Sequence, residues 1–163
     1  MKKINYKKGS GLAEILVAVF IFSIILGSLI TASNKYLSGA GENLRSTQGV
    51  YIAQEGIEAV KIIRDTNWDI IDTLSDDMDY YLYFDISSST NNTWEATSTF
   101  SSIDSIFTRT FKLNSVYRDS DGRIVSSGGT QDLNTKKVTV SVSWKLKTST
   151  TTKSLSTYIT NIM

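Results

Sequence analysis

Lys7-Lys8-Gly9-Ser10-Gly11-Leu12-Ala13-Glu14 leads into the apolar run Ile15 to Ile30. Four lysines (Lys2, Lys3, Lys7, Lys8) precede the glycine, and one acid, Glu14, stands between it and the run. As a helix, Leu12 to Ile30 would extend about 28 Å, close to the thickness of a bilayer core. A lone carboxylate at the head of such a segment is costly in lipid and calls for a partner. The lysines predict that the N-terminus stays cytoplasmic while the rest of the chain faces outward.

The order of basic leader, glycine, and glutamate five residues on resembles the leader of type IV prepilins and of the pseudopilins of type II secretion and DNA uptake. In those families a membrane peptidase cuts after the glycine, and the glutamate becomes the fifth mature residue. The resemblance covers roughly the first third of the chain. It implies cleavage between Gly9 and Ser10, which makes Glu14 the fifth mature residue and the one that carries assembly. A cut after Gly11 would leave Glu14 third, a poorer fit. The first mature residue, often phenylalanine or methionine in these families, is Ser10 here. The stretch Ala53-Gln54-Glu55-Gly56-Ile57-Glu58-Ala59-Val60-Lys61-Ile62-Ile63-Arg64-Asp65 also resembles the helix end of a group of bacterial prepilin-like proteins. The partners so implied are a prepilin peptidase, other pilin subunits joined through their N-terminal helices, and the inner-membrane assembly machinery.

Two simpler descriptions compete. A secretory signal peptide also places charge before an apolar core, and Leu26-Gly27-Ser28 or Ile30-Thr31-Ala32-Ser33 loosely fits its cleavage site. Against it stand the acid at the membrane entry and the helix-compatible sequence that continues to Asp65. A plain signal anchor needs only the length and the lysines.

At 163 residues the chain holds one modest domain besides the membrane helix. It contains neither cysteine nor histidine, which removes disulfides, thiolate chemistry, the commonest general base and the commonest metal ligand. Without the leader lysines, 13 basic residues face 16 acids, so the outward part is mildly acidic. That balance argues against nucleic-acid binding, which relies on a positive footprint. Exposed Arg109, Lys112, Lys145 and Lys147 side by side would reopen it.

From Ser10 to about Asp65 nothing forces a helix to stop, and the absence of proline suits a long one. Leu37, Leu44, Tyr51, Ile52, Ala59, Val60, Ile62 and Ile63 recur at helical spacing and predict an amphipathic outer half. Gly49 and Gly56 sit in good helical sequence and predict close packing of strands, whereas Ser38-Gly39-Ala40-Gly41 predicts an irregularity. After Asn67-Trp68 the period becomes two. Tyr80, Leu82, Phe84 and Ile86 share one face of a strand, and Phe107, Phe111 and Leu113 point inward from another. Val138, Val140, Val142, Trp144 and Leu146 mark the clearest strand, and a last one runs from about Lys153 to Ile162. Turns fall at Asp119-Ser120-Asp121-Gly122, before a short strand at Arg123-Ile124-Val125, and at Ser127-Gly128-Gly129. The prediction is an α+β chain with the pilin-like fold: a long helix against an antiparallel sheet of four to five strands. Its parts are a leader (1–9), a membrane or filament-core helix (10–33), an amphipathic half (34–66) and a sheet head (67–163). Ser87 to Asn92, with the glycosylation pattern Asn91-Asn92-Thr93, and Thr148 to Thr152 read as polar loops.

Asp119 and Asp121, with Asp132 nearby, have part of the oxygen density of a calcium loop but lack its remaining ligands. They are weak metal candidates, and no cofactor is expected. Asp76-Asp77-Met78-Asp79 reads as a solvated loop. No Ser-x-x-Lys or Gly-x-Ser-x-Gly occurs, and without histidine or cysteine an enzyme is not expected. The sequence points to a structural subunit of a pilus-like filament, of minor or pseudopilin type, at the cell membrane and then the cell surface. The alternatives are a binding module at the filament tip and a membrane-tethered domain that never polymerises.

Overall fold

Helix-forming residues without a proline break produce α1, Ser10–Thr66, 57 residues long in the computed structural model. The structure describes residues 10–86, 92–146 and 149–162, and Ser10 by its backbone only. Residues 1–9, which include Gly9 and the stretch expected to be a leader, lie outside the described residues, as do 87–91, 147–148 and 163. The irregularity expected at Ser38-Gly39-Ala40-Gly41 does not occur, because α1 runs through it. Each glycine there costs about 1 kcal/mol relative to alanine.

Contacts divide the chain into two units, Met1–Leu44 and Arg45–Met163. In the first, the described residues are helix alone. Leu12, Ile15, Leu16 and the other large apolar side chains through Ile30 are all exposed, on every side of the helix. With a mean hydropathy of 2.7 over its most apolar window, α1 is long and apolar enough to cross a membrane.

In the second unit α1 ends at a conformational break. Asn67 is extended (φ −164°, ψ 117°), and its side-chain oxygen accepts the Asp69 N–H at 2.9 Å. That cap starts a short helix, α2 (Trp68–Thr73), which buries Trp68 and Ile71. The sequence reading had no helix there. The strands are β1 (Tyr80–Asp85), β2 (Thr93–Thr97), β3 (Phe107–Arg118), β4 (Ile124–Val125), β5 (Thr130–Leu146) and β6 (Ser149–Thr160). They form one six-stranded sheet in the order β2-β1-β3-β5-β6, with β4 paired to the end of β3, and every pairing is antiparallel. The expected four to five strands omitted β2. The α+β class holds, with the antiparallel sheet following the long helix.

Alternation places Phe107, Phe111 and Leu113 of β3 and Val138, Val140, Val142 and Trp144 of β5 on one buried face. The helix meets this face along a buried stripe spaced by three and four, small at Gly49, Ala53 and Gly56 and continued by Val60 and Ile63. A Cβ built on Gly49 would lie 2.7 Å from Cζ3 of Trp144, and one on Gly56 would lie 2.8 Å from Cγ1 of Val140 and 2.9 Å from Cδ of Arg109. The close packing expected at both glycines is therefore present. Leu37, Leu44, Tyr51 and Ile62 were expected on this stripe but are exposed, Leu37 by 65%. Bulk on the sheet selects a helix face that lacks it. Phe84 and Ile86 also depart from expectation. Phe84 is 44% exposed and covers only the edge of Trp94, its cross-strand partner, and Ile86 is more exposed still.

Arg109 is the largest departure. It occupies an inward position of β3, between Phe107 and Phe111, and is 4% exposed. Its Nη1 lies 3.2 Å from Glu55 Oε2 and donates to the Ile52 carbonyl at 3.2 Å, and the guanidinium sits 5.1 Å from the Trp94 ring centre. Burial pulls its pKa below the ordinary value, opposed by Glu55. A buried cation of this kind is tolerated because it is paired and stacked.

The packing at Gly49 predicts opposite outcomes for one substitution at two sites. In a soluble fragment spanning 34–163, Gly39→Ala, with open space around it, should stabilise by up to about 1 kcal/mol. Gly49→Ala should lose about 1–3 kcal/mol, because the buried Trp144 ring cannot move aside. Urea melts decide: equal gains at the two sites would show that the helix does not seat on Trp144.

Candidate functional site

Glu14 lies one turn into α1 from Ser10. Helical spacing sets Val17, Ala18 and Ile21 along its own face, with Gly11 and Ser10 behind it. Glu14 is exposed, and among the described residues no cation is within ion-pair distance. The group is thus a carboxylate set in otherwise apolar helix surface. An ionised carboxylate is an acceptor only. In hydrocarbon it would have to capture a cation or bear its desolvation alone. Gly9, after which the cut was expected, falls outside the described residues.

The acids weighed as metal ligands are engaged otherwise. Asp119 Oδ1 accepts from the N–H groups of Asp121 (3.0 Å) and Arg123 (2.9 Å), closing the turn in which Gly122 takes φ +78°. Asp121 lies 3.6 Å from Arg123. Asp132 accepts from Arg118 Nε at 2.7 Å, and that bond chiefly holds its carboxyl below the usual range. These residues fix a turn and a strand end. In the second acidic cluster, burial would push Asp76 up, but hydrogen bonds from Ser115 and Lys136 outweigh it and leave the group below its ordinary pKa. Asp77 and Asp79 flank Lys112 at 3.6 and 3.8 Å.

The cationic surface imagined for Arg109, Lys112, Lys145 and Lys147 does not form among the described residues. Arg109 is buried on the opposite face, Lys112 is neutralised by its two aspartates, and Lys147 falls outside them. Lys145 instead meets a residue of α1. Arg45 Nη1 donates to the Lys145 carbonyl at 3.4 Å, across 100 positions of sequence. The two line an open groove of about 650 Å³ on the head. No local motif could have announced it, since its walls come from α1, β3, β5, β6 and the segment before β3.

No family model matches the chain, and neither a curated protein nor a solved structure matches it.

If Gly9-Ser10 is a processing site, protein recovered from its native membrane should give an intact mass and an N-terminal sequence that begin at Ser10. A chain that begins at Met1, or near Ala32, would rule that processing out.

Proposed function

We propose that this chain is a structural subunit of a type IV pilus-like filament, cut between Gly9 and Ser10 and assembled from the membrane. The observation that carries the reading is the placement of Glu14: one carboxylate, without a described cation beside it, at the head of a fully exposed apolar helix five residues past a lysine-rich leader and glycine. An exposed apolar surface of this extent requires cover, which lipid supplies before assembly and neighbouring helices supply after it. The leader lysines hold the N-terminus in the cytoplasm, and the head is carried outward.

Cleavage creates an α-amino group at Ser10 that does not exist in the precursor. In a packed helical core, that ammonium on one subunit pairs with Glu14 on the next. Low dielectric strengthens the pair, and burying either charge alone is costly. Processing thereby acts as the switch for polymerisation. The chain's own chemistry is confined to this pairing: it is a substrate of the peptidase and not itself an enzyme.

Glu14→Val tests the reading. The variant should still be cut after Gly9, accumulate in the membrane and be excluded from sheared filaments. Entry into filaments at the wild-type level, at equal expression, would show that the charge does not drive assembly. Snorkelling of Glu14 to the membrane surface would then account for its tolerance.

A further inference from the structure

The groove beside Arg45 belongs wholly to the unit Arg45–Met163 and is independent of the apolar helix. Strand pairing builds its floor. Thr108 of β3 stands directly opposite Ser143 of β5, and Lys145 of β5 opposite Thr150 of β6, all on the outer face of the sheet. Arg45 reaches in from α1, held against the Lys145 carbonyl. Phe100 lines the side contributed by the segment before β3. It is 65% exposed and meets Tyr81 edge to face, the ring centres 5.6 Å apart.

The charge of this groove runs against that of the outward chain. Both cations are exposed, and among the described residues neither forms an ion pair and no acid lines the groove. A guanidinium and an ammonium that both line the groove select an anion. Hydroxyls along the floor, each able to donate and accept, suit a ligand that is itself rich in hydroxyls. An exposed aromatic ring offers contact area to the apolar face of a sugar ring. The volume lies in the range of small-ligand sites. Two cations fall well short of the roughly 6–10 phosphate contacts of a typical nucleic-acid interface.

We infer that this groove binds an anionic saccharide, a sugar unit carrying a carboxylate or a phosphate, with Arg45 and Lys145 holding the acid and Phe100 stacking on the ring. The carboxylate and phosphate sources share this chemistry, and separate probes distinguish them. The full-length protein in detergent micelles is titrated calorimetrically with tetragalacturonate, glucose 6-phosphate, neutral maltotetraose and inorganic phosphate. Tetragalacturonate or glucose 6-phosphate should bind at least tenfold more tightly than maltotetraose and inorganic phosphate. The probe that binds identifies the acid. Arg45→Gln and Lys145→Gln should each weaken that binding about tenfold, and Phe100→Ala should weaken it as well. Lys112→Gln, a cation on the same sheet face already paired to aspartates, should leave it unchanged. Circular dichroism confirms that each variant is folded. Failure of both anionic sugars to bind, equal affinity for inorganic phosphate, or indifference to the Arg45 and Lys145 substitutions would overturn the assignment. Because the test uses unassembled protein, none of these outcomes bears on whether the chain enters a filament.

Discussion

Everything in the head follows from the close approach of α1 to the sheet at Gly49 and Gly56. Trp144, Val140 and Arg109 occupy space that a side chain on either glycine would claim. The missing Cβ atoms let the sheet bring its bulk to the helix backbone, and this contact orders the core. Ala53, Val60 and Ile63 complete the helix stripe, and Phe111, Leu113 and Val138 extend the sheet side to full burial. The two glycines weaken the helix by about 1 kcal/mol each relative to alanine. Burial of a tryptophan and the valines beside it more than offsets that cost, since each such side chain contributes roughly 1.5–3 kcal/mol. The same proximity places Glu55 within reach of Arg109 and makes a buried cation tolerable.

The apolar half of α1 obeys a different constraint. Its large apolar side chains are all exposed, and an exposed apolar surface of that extent requires cover. Hydrocarbon would suffice for every residue from Ile15 to Ile30, but not for Glu14. That one mismatch gives the proposed switch its logic, because cleavage after Gly9 would supply the missing cation. A simple anchor gains nothing from a carboxylate there.

Much of this was legible in the sequence wherever a periodic pattern and a burial requirement agreed. β5 alternates without exception from Val138 to Trp144, and its inward residues are buried as the pattern predicts. Gly49 and Gly56 were expected to pack closely because they interrupt good helical sequence, and a Cβ on either would meet Trp144 or Val140. The failures have physical causes. The helix stripe was read from apolar spacing alone: Ala59, Val60 and Ile63 are buried as expected, but Leu37, Leu44, Tyr51 and Ile62 are exposed. Arg109 was counted as surface by its charge, although its alternation with Phe107 and Phe111 already placed it inside. α2 is six residues long, too short to show a period, and its Asn67 cap carried the signal instead. The groove joins Arg45 to Lys145 across the whole head, a juxtaposition that only the fold creates.

The central claim is that subunits, and not lipid alone, cover the apolar helix in the mature assembly. The chain can report this directly if benzoylphenylalanine replaces Phe22, which is exposed on the apolar segment. Cells are irradiated and the sheared surface fraction is separated from the membranes. The account predicts that adducts in the surface fraction join this chain to another small subunit through its N-terminal helix, with mass spectrometry placing the linkage inside that segment. Lipid adducts alone, with no linked protein in any fraction, would contradict it and leave α1 as a solitary anchor.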